Sequence, residues 1–122
     1  DPRHAYWYAN EILKGPFPKG EDAIAKDSRY AFQYAERILK GRFPKGEDAI
    51  ARSLVYSHKY SRDILKAPWP KGEKAIATDP WTSFAYARDV IKGPWPPGEK
   101  AIKRDRNISG QYEELTGIKL NR

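Results

Sequence analysis

The sequence predicts an all-α fold: a short right-handed αα solenoid of four 26-residue repeats closed by a C-terminal capping helix. Three observations carry the prediction. The stretch Ile38-Leu39-Lys40-Gly41-Arg42-Phe43-Pro44-Lys45-Gly46-Glu47-Asp48-Ala49-Ile50-Ala51 recurs from Ile12, from Ile64 and, as Val90-Ile91-Lys92-Gly93, from Val90, always 26 residues apart. A fixed period in this range marks an array whose units stack on their neighbours. Within each period, small and apolar residues recur at three- and four-residue steps, the spacing of an amphipathic helix. Each period also carries its own start and stop signals, with Asp or Ser at the junction and Gly and Pro in the middle.

The units are 2–27, 28–53, 54–79 and 80–105, with a degenerate last one at 106–122, all within one domain spanning 1–122. In the first, Asp1 is the N-cap and Pro2 occupies the first helical turn, where a missing N–H does no harm. Ala5, Tyr8, Ala9, Ile12 and Leu13 form the inward stripe of a helix of about three turns. That helix is expected to end at Lys14-Gly15, with Gly15 in the left-handed conformation and Lys14 at the negative end of the helix dipole. Pro16-Phe17-Pro18 breaks the chain, and Lys19-Gly20-Glu21-Asp22 opens a second, shorter helix whose buried side is Ala23-Ile24-Ala25.

The second unit repeats this from Ser28, with Ala31, Tyr34, Ala35, Ile38 and Leu39 facing inward. The third puts Ser57 and Ser61 at the alanine positions, Ala67 where Gly41 stood and Trp69 for Phe43. The fourth runs from Pro80 through Ser83, Tyr86, Ala87, Val90 and Ile91 to Lys92. The last keeps Ser109 and Tyr112 and then departs at Glu113-Glu114-Leu115-Thr116-Gly117, so residues 106–118 read as a helix that closes off the core. The chain opens on Asp1-Pro2, a junction like Asp79-Pro80, which suggests a piece of a longer array.

Comparison of the copies separates frame from display. Tyr8, Tyr34, Tyr60, Tyr86 and Tyr112 hold one position, and small residues hold positions 5, 31, 57, 83 and 109. Small side chains allow close helix approach, so both columns are packing positions. The variable residues lie on the opposite helix face, and Arg3, Trp7, Arg29, Gln33, Arg37, Lys59, Arg62, Trp81 and Arg88 are the candidate partner-binding residues. The pattern resembles the Tyr/Ala-rich YAxxIxKGxxPxGExAI helical repeats of uncharacterised bacteriophage and bacterial proteins, over about residues 2–105. The resemblance implies the repeat architecture and carries no activity.

With 23 Lys and Arg against 16 Asp and Glu, the formal charge is +7, which suits an acidic partner. Lys14, Lys40, Lys66 and Lys92 are candidate phosphate contacts, one per unit. The alternative role for them is capping helix ends or pairing with Glu21, Glu47, Glu73 and Glu99. Phe17, Phe43, Trp69 and Trp95 are expected to plug the gap between helices rather than stack on bases. Cysteine is absent, and His4 and His58 stand too far apart in the repeat to form a metal pair. There is no GxSxG, HExxH or phosphate-loop motif, and no apolar run of membrane-spanning length. The expected function is therefore a non-enzymatic interaction module, binding a protein partner through the variable face of its longer helices. The alternative is a nucleic-acid-binding repeat that contacts phosphates through the lysine row. No cofactor or metal is expected, membrane association is not, and the expected location is cytoplasmic.

Overall fold

The computed structural model describes residues 1–120, and among these it is all-helical, with no strand. Among the described residues nine helices alternate long and short. The long ones are α1 (2–13), α3 (28–39), α5 (54–65), α7 (80–91) and α9 (Arg106–Thr116); the short ones are α2 (18–24), α4 (44–51), α6 (Pro70–Ile76) and α8 (Pro96–Ile102). Each long helix packs on the long helix that follows and on its own short helix, which gives two layers of repeated packing. The expected closing unit extends to 122, and residues 121 and 122 lie outside the described residues.

Every long helix begins the same way. The side chains of Asp1, Asp27, Ser53, Asp79 and Asp105 accept hydrogen bonds from backbone N–H groups two or three residues on, satisfying donors that the first turn leaves free. The ends differ from the sequence expectation. The second half of α1, α3, α5 and α7 is π-helical, over Tyr8–Leu13, Tyr34–Leu39, Tyr60–Leu65 and Ala87–Ile91. In α1 the widened ladder closes on one carbonyl, that of Ala9, which accepts from both Lys14 N–H and Gly15 N–H. Chain reversal therefore falls one residue earlier than expected. Lys14, Lys40, Lys66 and Lys92 are the left-handed residues, at φ 52–63°, while Gly15, Gly41 and Gly93 are not. Ala67 at the glycine position is the trace of this in the sequence, because a residue with a Cβ sits there.

The tyrosine column is core from the second unit onward. Tyr34, Tyr60, Tyr86 and Tyr112 are 0% exposed, and each makes the same two bonds to the unit before it. The hydroxyl of Tyr60 accepts from Phe43 N–H at 2.9 Å and donates to Glu47 at 2.6 Å. Tyr34 does this with Phe17 and Glu21, Tyr86 with Trp69 and Glu73, and Tyr112 with Trp95 and Glu99. Of the two structural roles weighed for the row lysines, helix-end capping or pairing with these glutamates, the pairing does not form: the carboxylates are held by tyrosine hydroxyls, and Glu47 also by Arg42.

The turn aromatics pack as the plug they were expected to be. In the middle units their rings lie 4.9 Å (Tyr34–Phe43) and 5.0 Å (Tyr60–Trp69) from the tyrosine of the same unit. The small-residue column has a specific cause. A Cβ on Gly46 would sit 2.8 Å from Ala31 Cβ, and on Gly72 2.7 Å from Ser57 Oγ. The start of each short helix thus presses against the small residue of the long one. Ser57, Ser83 and Ser109 add a bond that alanine cannot make, donating to the carbonyls of Ile50, Ile76 and Ile102 at the ends of the preceding short helices.

One assignment fails in the first unit only. Ile12 and Leu13 were expected to face inward, yet they are 53% and 44% exposed, and Tyr8 is 40% exposed. Their aliphatic counterparts Ile38, Leu39, Ile64, Leu65, Val90 and Ile91 are half-buried against the core.

Candidate interaction face

The variable positions fall at steps of four and three along each long helix, so the packing that buries the tyrosine column turns them outward. Arg3, Trp7, Arg29, Arg37, Arg62, Trp81 and Arg88 are exposed, and Gln33 and Lys59 are half-covered. Two depressions gather some of them. One, of about 240 Å³, is lined by Val55, His58, Lys59, Arg62, Trp81, Thr82, Ala85 and Arg88 between α5 and α7. The other, of about 440 Å³, is lined by Arg3, His4 and Trp7 on α1. The fold thus gathers Lys59, Arg62, Trp81 and Arg88 at one end and Arg3 with Trp7 at the other, while Arg29, Gln33 and Arg37 line neither depression.

Several of the basic groups are oriented by neighbours. The Arg88 guanidinium lies over the Trp81 ring at 5.4 Å, Arg29 over Tyr30 at 5.5 Å, and Lys59 over Tyr56 at 5.6 Å. Arg62 and Arg88 each hold the aspartate that follows them, through bonds of 2.7–3.1 Å. These guanidiniums keep the Asp63 and Asp89 carboxyls below the usual carboxylate range.

The sequence reading missed the hub of this site. In the four full units His58 occupies a column otherwise filled by Tyr6, Phe32 and Phe84, and Tyr6 and Phe32 stack on Tyr30 and Tyr56 of the next unit at 5.7 and 5.6 Å. Opposite His58 the next unit offers Thr82 rather than a ring, and the imidazole Nε2 instead meets Asp89 Oδ2 at 3.0 Å. Burial pushes the His58 pKa below its ordinary value. Asp89 pulls it up, but the nearby charges of Arg62 and Arg88 add to the lowering. The Nε2–Asp89 contact spans the boundary between α5 and α7. A lone histidine in an aromatic column was the available signal.

The lysine row lies at the far ends of the long helices. Lys14, Lys40, Lys66 and Lys92 are all exposed, and none has an ion-pair partner among the described residues. The second lysine set behaves differently: Lys45 pairs with Asp22 at 3.5 Å, and Lys71 with Asp48, each across a unit boundary. Grooves between successive row lysines also hold carboxylates, Glu36 and Asp63 in one and Asp89 in the next. Among the described residues no three His, Asp or Glu side chains gather to hold a metal ion, and no helix is long and apolar enough to cross a membrane. Comparison with protein-family models, with curated proteins and with solved structures finds no match to this chain.

Proposed function

We propose that the protein is a non-enzymatic interaction module that binds a protein partner through the outer face of α1, α3, α5 and α7. The observation that carries this reading is the pair of half-exposed tryptophans, Trp7 at 51% and Trp81 at 49%, each beside arginine on that face. The other two tryptophans, Trp69 and Trp95, are buried in the frame. Trp and Arg are the side chains that most often dominate binding energy at protein interfaces. Trp81 is also oriented in advance by Arg88, which lowers the ordering entropy that binding must overcome. The test is a photo-crosslinker placed at the exposed Val55, followed by affinity measurement on whatever protein it captures. Trp81→Ala should weaken that complex by at least about tenfold, the scale of a hot-spot truncation. A complex indifferent to Trp81→Ala and Trp7→Ala would refute the assignment.

A second reading is favoured by one separate observation. Four exposed lysines, without ion-pair partners among the described residues, stand in the left-handed conformation, which disfavours a residue with a Cβ by roughly 1–2 kcal/mol. Strain repeated at the same position, where glycine would relieve it, suits a role for the ammonium group itself. That role would be contact with nucleic-acid phosphates. Titration with single- and double-stranded RNA and DNA at two salt concentrations tests it. Affinity should fall steeply with salt, and Lys66→Ala should reduce the log–log slope by about one contact. Absence of binding tighter than about 10⁻⁴ M at physiological salt would leave the protein-binding reading alone.

A further inference from the structure

We infer that the uncovered face of α1 is a socket for one more repeat of the same kind: a polypeptide presenting an aromatic–Pro–x–Gly–Glu turn and the short helix that follows it. The argument rests on the four internal boundaries. At each, a tyrosine hydroxyl accepts the N–H of a turn aromatic and donates to the glutamate four residues later in that turn, with distances of 2.6–2.9 Å. The receiving side of the boundary is the long helix with its tyrosine, followed in α3, α5 and α7 by two aliphatics four and five residues on, where α9 has Thr116 and Gly117. Helix α1 has the complete receiving side in Tyr8, Ile12 and Leu13. Its Tyr8 ring is already seated on Phe17 at 4.9 Å, matching the 4.8–5.0 Å of the internal copies. The same three side chains are 40–53% exposed, whereas Tyr34, Tyr60 and Tyr86 are buried and the aliphatics that follow them are half-buried. Of the eight large exposed hydrophobics among the described residues, four lie on α1, counting Trp7 beside the socket.

The chemistry of the occupant follows from what the internal sockets take. It must offer a backbone N–H held free of its own helix by flanking prolines or by the turn, as Phe17 does between Pro16 and Pro18. It must also offer a carboxylate for the Tyr8 hydroxyl, and an apolar short-helix face like Ala23-Ile24-Ala25. A second copy of this chain does not fit. The four turn N–H groups of this kind among the described residues are already bonded to Tyr34, Tyr60, Tyr86 and Tyr112.

The test compares one substitution in two contexts. Residues 28–52 are placed a second time ahead of Asp1, which keeps Asp1 at the N-cap position and the repeat in register. In the 122-residue chain, Tyr8→Phe should change the unfolding equilibrium constant by less than about twofold, because the hydroxyl has no partner to lose. In the extended chain it should change it by at least about tenfold, the scale of a lost buried hydrogen bond to a charged group. Glu→Gln at the added turn should have a similar effect, and the two changes together should be less than additive. An equally small effect of Tyr8→Phe in both chains would overturn the inference, whether the added unit failed to fold or docked elsewhere. So would self-association of the 122-residue chain in sedimentation that Leu13→Lys abolishes, since the occupant would then be a second copy.

Discussion

Replacing Tyr60 by Phe removes one oxygen and almost no volume, so its effect isolates the polar clasp between units. The hydroxyl donates to Glu47 at 2.6 Å and accepts from Phe43 N–H at 2.9 Å, and both partners are buried. Its loss leaves the N–H without an acceptor, which costs roughly 1–3 kcal/mol, and forfeits a bond to a charged group worth about 1.5–3 kcal/mol. Arg42 continues to hold Glu47 through bonds of 3.0–3.1 Å, so the carboxylate is not stranded and the two costs do not add in full. The expected loss is therefore about 2–4 kcal/mol. In urea, with a slope of about 1–3 kcal/mol per molar, the midpoint should fall by roughly 1–2 M at unchanged slope. Tyr8→Phe in the same chain is the internal control, because it removes the same atom where no bond exists, and it should stay within about 0.5 kcal/mol of the parent. A Tyr60→Phe loss under about 0.5 kcal/mol, or an equal loss at Tyr8, would refute the clasp.

Lys40→Gly should raise stability by about 0.5–1 kcal/mol, because relief of the left-handed strain outweighs the extra unfolded-state entropy of glycine. Gly41→Ala should be neutral or slightly stabilising, and urea midpoints for the pair check both. Gly72→Ala should cost about 1–3 kcal/mol, because its Cβ would meet Ser57 and the Trp69 ring at 2.7 Å; an unchanged midpoint would contradict that close approach. The buried hydroxyls of Tyr34 and Tyr112 are pushed up to about 12, by burial first and the adjacent glutamates next, and those of Tyr60 and Tyr86 are raised further. The folded state then binds more protons than the unfolded chain above about pH 10, so stability should fall as pH rises from there, followed by tyrosinate absorbance. His58 has the opposite sign: its folded pKa lies below the ordinary 6.5, so the unfolded chain binds the extra proton and stability falls on acidification below that value. In His58→Phe that part of the acid-side slope should vanish.

The period, the helix starts and the buried columns were legible because they depend on local chemistry and on size. An aspartate caps a helix wherever it precedes one, and a tyrosine repeated beside a small residue reads as packing, which holds for Tyr34, Tyr60, Tyr86 and Tyr112 but not for the exposed Tyr8. The outward placement of Trp7, Arg62, Trp81 and Arg88 followed from helix period alone. What the amino-acid order did not display is where each long helix leaves the α ladder. A π-helical turn reflects a choice among carbonyls one residue apart, which side-chain pattern barely encodes, so the left-handed residue was placed on Gly15 instead of Lys14. Nor did it display partners from different units. The tyrosine hydroxyl meets a glutamate 13 residues earlier, and His58 meets Asp89, 31 residues later. Charge alone favoured a lysine for each glutamate and nothing for the histidine. Sequence determines which faces are apolar, small or charged. Stacking of one unit on the next decides which polar atoms are brought within bonding distance, and burial then makes those few contacts strong.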